Sequence, residues 1–122
     1  MSPNKNNSED KHEEYINYLI EKRGGLYAAM GKKRHFQNGN GTDNGEIDFI
    51  GYILPDDKFD LYEVKTTEKK GRENKAKRQL KKAREYFEDN GCHIKGTYIF
   101  FGDRHELFLV GEYGAMEFVS TI

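Results

Sequence analysis

Three ionisable residues lie inside strand-like apolar segments of this sequence. Asp48 falls within "EIDFIGYIL", and Glu63 and Lys65 fall two residues apart within "FDLYEVKTT". Strand interiors disfavour Asp, Glu and Lys, and burying a lone charge costs several kcal/mol. These residues are therefore candidates for chemistry and not only for packing.

Strand geometry predicts where these side chains meet. Alternate residues of a strand share a face, so Glu63 and Lys65 point to the same side. If the two segments pair as an antiparallel hairpin across "PDDK", Asp48 lies near the open end of the hairpin beside Glu63, although the sequence leaves the register open. We therefore expect two carboxylates and an ammonium group at one end of a sheet.

Two neighbouring carboxylates repel each other unless a cation lies between them. Oxygen ligands with open water positions are what Mg²⁺ prefers. A lysine beside such a metal can hold or deprotonate an attacking water and offset charge on a phosphate. The alternative is simpler: a Glu-x-Lys pair on a solvated face, with Asp48 as its salt-bridge partner.

Positive charge is concentrated in one part of the chain. Half of its 20 Lys and Arg residues fall between Lys65 and Arg84, against two acids, although the formal net charge of the whole chain is −1. The segment "ENKAKRQLKKAREYFEDNG" has helical spacing, with an apolar face opposite a basic one. The apolar face is Ala76, Leu80, Ala83 and Phe87, and the basic face is Lys77, Arg78, Lys81 and Arg84. This distribution indicates a surface for a polyanion, although charge runs usually form a solvated face.

The remaining segments predict the elements that position these residues. We expect a disordered tail over residues 1–8, with Asn7 or Ser8 as helix cap, then a helix from Glu9 to Arg23. A weakly patterned strand in "LYAAMGKKRHF" precedes a mobile loop from Gln37 to Gly45. After the hairpin and the basic helix, "GTYIFFG" and "ELFLVGEY" read as strands and "AMEFVS" as a short strand or turn of helix. This order predicts an α/β sheet flanked by helices.

Length and composition limit the function classes. A chain of 122 residues has room for one domain, which we place at residues 9–122. Its one cysteine, Cys92, excludes an intramolecular disulfide and is more typical of an incidental thiol. The sequence has neither a signal-peptide pattern nor an apolar run long enough to span a membrane, so we expect a cytoplasmic protein, of a cell or an infected host, with no membrane partner.

The motif Asp48 followed by Glu63-Val64-Lys65 resembles the signature of the PD-(D/E)XK nuclease superfamily. The segment "EEYINYLIEKRG" is similar to the opening helix of archaeal Holliday junction resolvases, with Glu13 at the acidic position, and "RQLKKAREYFEDNG" places Gln79 as in small VRR-type nucleases. The resemblance implies a restriction-endonuclease-like fold, a central mixed β-sheet flanked by helices. One departure is that Gly45-Glu46-Ile47 precedes Asp48 where many members have Pro.

The resemblance also implies roles for the site residues. Asp48, Glu63 and the backbone carbonyl of Val64 would bind Mg²⁺, for which Mn²⁺ could substitute, and Lys65 would position the attacking water. Glu13 would support the metal, with Glu14 and Glu21 as alternatives on the same helix, and Gln79 would orient Lys65 or a phosphate. The four histidines, by contrast, show no metal-ligand spacing, and we interpret them as surface residues.

The activity that the resemblance implies is metal-dependent hydrolysis of phosphodiester bonds in DNA. The expected enzyme is a structure-specific endonuclease like the junction resolvases, acting as a homodimer in recombination or repair. The expected DNA-binding residues are Lys69, Lys70, Arg72, Lys77, Arg78 and Lys81. One alternative is a VRR-type nuclease for flaps, ends or single strands. Another is a catalytically degenerate DNA-binding module, against which the presence of all three core residues argues.

Overall fold

The computed structural model describes residues 7–37, 44–67 and 70–122, and the side chains of 9–37, 45–67 and 71–122. Most of the predicted tail and the centre of the predicted Gln37–Gly45 loop lie outside these ranges. The described helices are α1 (Asn7–Arg23) and α2 (Lys70–Asp89), with a short 3-10 turn at Gly24–Leu26. The described strands are β1 (Ala29–Gln37), β2 (Asn44–Ile53), β3 (Lys58–Lys65), β4 (Ile94–Phe101), β5 (Glu106–Val110) and β6 (Met116–Thr121).

The strands form one mixed sheet in the order β1-β2-β3-β4-β5-β6 within the described residues. β3 and β4 are parallel, and every other neighbouring pair is antiparallel. The parallel pair requires a crossover, which α2 supplies. The predicted fold class is confirmed: this is an α/β protein whose six-stranded mixed sheet is flanked by two helices, consistent with a restriction-endonuclease-like fold.

The core lies on both faces of this sheet. Alternation along β3 sends Leu61 toward α2 and sends Tyr62 and Val64 toward α1, so the strand is buried on both sides. On the α2 side the cluster includes Ala76 and Leu80 from the predicted apolar helix face. Among the described residues, no helix is both long enough and apolar enough to cross a membrane.

The predicted helix boundaries need two corrections. α1 already includes Asn7 and Ser8, because the acids Glu9 and Asp10 occupy the first turn and favour a helix N-terminus there. α2 begins at Lys70, before the segment from Glu73 in which the sequence shows helical spacing, so Arg72 lies in its first turn. The helix ends as expected before Gly91, whose φ of +86° suits a C-terminal glycine.

The predicted hairpin is confirmed, with residues 54–57 as the turn between β2 and β3. The Gln37–Gly45 segment is shorter as a loop than expected, because Gln37 and Asn44 already pair across β1 and β2. "AMEFVS" belongs to strand β6, since its backbone pairs with β5. The weakly patterned first strand is also present, as β1.

β2 changes face at Asp48. In a regular strand Ile47 and Phe49 would share a face, yet Ile47 packs in the α2 cluster and Phe49 in the α1 cluster. Across the strand pair, Lys33 has a φ of 54°, which is uncommon for a residue other than glycine. Asp48 therefore sits at a local twist of the sheet.

Candidate functional site

Asp48 joins β2 to the end of β3 through its side chain. The residue is buried, and its Oδ2 accepts a hydrogen bond from the backbone N–H of Val64 at 2.7 Å. The Cα pairing of the two strands ends at Phe49 and Tyr62, one residue earlier. A carboxylate thus replaces the next backbone acceptor of the sheet, which fixes its position.

Glu63 is buried beside Asp48. Burial, followed by the charge of Asp48, raises the pKa of the Glu63 carboxyl well above its ordinary value, while Lys65 and the backbone N–H of Asp48 act the other way. The Nζ of Lys65 lies 3.9 Å from Oε2 of Glu63. Oε1 of Glu63 is buried with no hydrogen-bond partner among the described residues. The structure therefore brings Asp48, Glu63 and Lys65 together.

His12 is part of this site, and its interpretation as a surface residue is wrong. Its Nε2–H donates to the carbonyl oxygen of Val64 at 2.9 Å and lies 3.2 Å from Oδ2 of Asp48. The hydrogen bond with Asp48 raises the pKa of the imidazole, against the effect of burial. A signal was present in the sequence: His12, Ile16 and Leu19 have i, i+4, i+7 spacing, which places the histidine on the buried face of α1.

The other histidines have different environments. His35 is exposed and lies 3.2 Å from Glu46, and His93 is exposed, as predicted. His105 is partly buried, because its ring stacks on Tyr18 with 4.3 Å between centroids. Its interpretation as a surface residue is therefore also wrong.

Glu13 does not join the carboxylates. Its side chain forms ion pairs with Lys32 and Lys33 of β1, and these contacts lower the pKa of its carboxyl to about 2. Neighbouring residues of a helix point about 100° apart around its axis. When His12 points to Val64, Glu13 therefore points to β1. Glu14 and Glu21, the alternatives, are exposed.

Gln79 lies at the beginning of β2. A Cβ atom at Gly45 would be 2.7 Å from Oε1 of Gln79, so glycine permits this close approach. That Oε1 is buried and has no hydrogen-bond partner among the described residues. The implied role of Gln79 toward Lys65 or a phosphate stays a prediction.

A basic cavity of about 350 Å³ opens beside the carboxylates. Arg72 donates from Nη1 to Oγ1 of Thr66 at 2.7 Å, which holds the start of α2 against the end of β3. Lys75, which the sequence analysis did not select, also lines the cavity. The full lining is Glu9, His12, Val64, Lys65, Thr66, Arg72 and Lys75. This cavity could accommodate an anion next to His12 and Lys65.

The other predicted DNA-binding residues extend along α2. Lys77 pairs with Glu73 at 3.3 Å, whereas Arg78 and Lys81 are exposed and form no ion pair among the described residues. Lys69 and the side chain of Lys70 lie outside the described part of the chain. The predicted basic face therefore includes cations that are free to meet an anion.

The donor atoms suit a hard divalent cation, with one complication. The described residues contain no group of three or more His, Cys, Asp or Glu side chains that could hold a metal ion. Two carboxylates and the Val64 carbonyl remain, and the unpartnered Oε1 of Glu63 fits a cation between like charges. A metal here would compete with the N–H of His12 for Asp48 and for that carbonyl.

Compared with known proteins, the chain matches no protein-family model and no curated protein sequence. The resemblance to PD-(D/E)XK nucleases therefore depends on a short motif and on the order of elements around it. Membership of that superfamily stays a prediction.

Proposed function

We propose that this protein is a divalent-metal-dependent DNA endonuclease of the PD-(D/E)XK type. The observation that supports this most is the pair of buried carboxylates on neighbouring strands. The charge of Asp48 raises the pKa of Glu63, one Glu63 oxygen has no hydrogen-bond partner among the described residues, and Lys65 lies next to them. A fold tolerates two adjacent buried carboxylates more readily when they serve a ligand.

The carboxylates and the Val64 carbonyl would hold Mg²⁺ or Mn²⁺. When bound, the metal would supply Lewis-acid activation of a phosphodiester and neutralise the two acids. Lys65 would hold the attacking water and offset charge that develops on the phosphate, since its ammonium lies 3.9 Å from Glu63. The basic cavity would bind that phosphate through Arg72 and Lys75.

The exposed cations of α2 would bind the rest of the DNA backbone. Phosphate contacts of this kind contribute affinity without sequence specificity. A homodimer would supply a second cut on a branched substrate, as expected for a junction resolvase. Sedimentation of the protein with and without DNA tests that assembly.

The position of His12 supports a second candidate, a DNA-binding module without catalysis. Its N–H already occupies lone pairs of Asp48 Oδ2 and the Val64 carbonyl, two of the oxygens that the first candidate assigns to metal. In this case the protonated imidazole would take over the neutralising role of the cation.

Cleavage of a panel of DNA structures separates these candidates. Wild-type protein is incubated with junction, flap, duplex and single-stranded DNA in Mg²⁺, with Asp48→Asn and a chelator as controls. The proposed function requires Mg²⁺-dependent products that both controls abolish. Products that persist in Asp48→Asn would show a contaminating nuclease, and binding without any cutting would favour the second candidate.

The assigned phosphate contacts have a separate test. Reversing Arg72 and Lys75 to Glu should weaken DNA binding and reduce its salt dependence, because log K falls by about 0.9 per contacted phosphate per decade of salt. Reversing Lys22 and Lys58, two exposed cations that do not line this cavity, is the matched control. Equal effects of both changes would mean that DNA approaches by another surface.

A further inference from the structure

A second cavity lies on the other flank of α2, away from the carboxylates. It has a volume of about 520 Å³, and its floor includes Leu80, Thr97 and Val110. One wall is α2 and the other is the turn between β5 and β6. Basic and acidic groups both line it: Lys77, Arg78, Lys81, Arg84, Glu85, Glu88 and Glu112. We call this cavity the α2 groove.

Tyr113 stands at the rim of the α2 groove and is 95% exposed, an unusual position for an aromatic ring. Its turn is held by two backbone hydrogen bonds, from Gly111 to the Ala115 carbonyl at 2.8 Å and from Gly114 to the Gly111 carbonyl at 3.0 Å. The ring is therefore presented to solvent by an ordered backbone.

The cations of the groove differ in how far they are neutralised. Lys77 pairs with Glu73 and Arg84 with Glu88, each at 3.3 Å, so two acids partly cancel them. Arg78 and Lys81 are exposed and have no ion pair among the described residues. The groove thus combines two available cations with two exposed carboxylates, Glu85 and Glu112, and an exposed ring, and a row of cations along α2 is what favours an anionic strand.

A row of cations connects the groove to the candidate active site. Arg72, Lys75, Arg78 and Lys81 follow one another at three-residue intervals, and all four are exposed. Each step rises about 4.5 Å and turns the row by about 60°, so the row crosses the solvent side of α2 over about 14 Å of helix axis. Its first two members line the site cavity, and its last two line the groove.

We propose that the α2 groove binds an unpaired DNA strand that leaves the cleavage site, with a base stacked on Tyr113. This inference rests on the proposed function, which puts a scissile phosphate at the other end of the cation row. Phosphates of the strand follow the row, and the groove receives a nucleotide whose base meets the ring. Stacking on aromatic rings beside cations is how proteins hold single strands without reading their sequence. A blunt duplex has no free base for Tyr113.

A fluorescent reporter tests the stacking directly. The sequence contains no tryptophan, so Tyr113→Trp introduces a single fluorophore at the rim. In chelator, a short oligothymidylate should quench it, and a blunt duplex of equal length should not. Phe118→Trp, at another exposed aromatic position outside the groove lining, is the matched control and should respond to neither.

Binding measured by fluorescence anisotropy gives the size of the effect. Tyr113→Ala should weaken oligothymidylate binding about tenfold, the loss expected for one stacked base, and leave blunt-duplex binding unchanged. Tyr113→Phe should retain wild-type affinity, since stacking does not need the hydroxyl. An affinity of Tyr113→Ala equal to that of the wild type, or an equal loss on blunt duplex, would overturn the inference.

Two further outcomes separate the inference from the proposed function. Quenching of Tyr113→Trp by oligothymidylate with no cleavage of any substrate would uphold the groove and remove the nuclease. Mg²⁺-dependent cleavage with no quenching would support the nuclease and show that the groove does not bind the strand. If polyglutamate quenches Tyr113→Trp as strongly as oligothymidylate does, the groove recognises an acidic protein segment, and the DNA assignment is wrong.

Discussion

Two carboxylates of β3, Asp60 and Glu63, are buried to nearly the same extent, at 5% and 4% exposure. Burial is the largest cause that raises the pKa of each carboxyl. They face opposite sides of the strand, and their neighbours differ in kind. Asp60 has positive charges near it, whereas Glu63 has the carboxylate of Asp48 beside it.

Asp60 is surrounded by donors and positive charge. The hydroxyl of Tyr27 donates to its Oδ2 at 2.8 Å, and the charges of Arg23 and Lys95 lower its pKa against the effect of burial. The network continues outward, because Tyr27 also contacts the hydroxyl of Tyr62, to which Nε of Arg23 donates at 2.8 Å. Asp60 thus has the surroundings of a structural residue.

Glu63 has a like charge as its neighbour. Asp48 raises the pKa of Glu63, whereas the charges of Arg23 and Lys95 lower that of Asp60. One oxygen of each carboxylate, Oε1 of Glu63 and Oδ1 of Asp60, is buried with no hydrogen-bond partner among the described residues. Buried polar groups without partners are rare, and each needs a physical reason. Burial and an unpartnered oxygen therefore do not by themselves mark a functional acid; the difference between these two residues is the like charge beside Glu63.

The largest expected effect is on cleavage. Glu63→Gln should reduce Mg²⁺-dependent cleavage by at least about 100-fold, the loss typical when one electrostatic contributor is removed. Asp60→Asn removes an equally buried charge from the same strand and should leave the cleavage rate close to that of the wild type. Single-turnover rates on the best substrate of the panel measure both.

If both variants lose cleavage while their circular dichroism stays native, Asp60 also takes part in the reaction, and the distinction between the two carboxylates is wrong. Cleavage by Glu63→Gln at the wild-type rate would show that Glu63 does not take part in the reaction. Either result would be clear, since each substitution only replaces one carboxylate oxygen with an amide nitrogen.

The next effect concerns the contribution of the Asp60 hydrogen bond to stability. Tyr27→Phe removes the donor to Asp60 and leaves a buried carboxylate short of a partner, which should cost about 1–3 kcal/mol in the free energy of unfolding. Tyr18→Phe is the matched control, because the Tyr18 hydroxyl donates only to a neutral carbonyl, that of Ile122, at 2.7 Å. Urea unfolding should show the larger loss for Tyr27→Phe; equal losses would mean that Asp60 does not depend on Tyr27.

The pH dependence of stability should differ between wild type and Glu63→Gln. A carboxyl whose pKa is raised by folding is most favourable below its unfolded value, 4.5, and destabilises the fold as pH rises through the folded value. Without metal, the melting temperature of Glu63→Gln should therefore rise relative to that of the wild type as pH increases. Mg²⁺ should narrow that difference, because it stabilises only the protein that binds it. A constant difference across pH would contradict the assigned pKa shift.

The smallest effect is expected at His12. His12→Ala frees Oδ2 of Asp48 and the Val64 carbonyl, so Mn²⁺ should bind about 3- to 10-fold more tightly, the equivalent of one net hydrogen bond. Isothermal titration calorimetry measures this without catalysis. His35→Ala, at an exposed histidine, is the control and should leave the affinity unchanged. Weaker binding in His12→Ala would instead make His12 a metal ligand.

The sheet and its main site were largely predictable from sequence. Strand alternation places Glu63 and Lys65 on one face, and the "PDDK" turn sets the pairing that brings Asp48 beside them. The change of face at Asp48 was not predictable, and neither was the positive φ of Lys33 on the neighbouring strand, because no sequence feature indicates either of them.

Most of the other features that the sequence did not predict depend on which way a helix residue points or on partners far apart in the chain. The resemblance placed Glu13 at the site. A difference of one position on α1 decides whether a side chain contacts β1 or the carboxylates, and it is His12 that points to the carboxylates. The network at Asp60 joins residues 33 to 39 positions apart in the chain, and no local pattern reports such a separation.

The contact of His12 with β3 joins parts of the molecule that should open on different timescales. Asp48 and Glu63 lie on neighbouring strands of the sheet interior, whose amides should exchange with solvent most slowly. His12 is the sixth residue of α1, just after the exposed residues Glu9, Asp10 and Lys11, and helix ends fray readily. Fraying of α1 as far as His12 would uncover the carboxylates while the sheet stays closed. Opening of the helix end should therefore change how far these carboxylates are exposed, without any unfolding of the sheet.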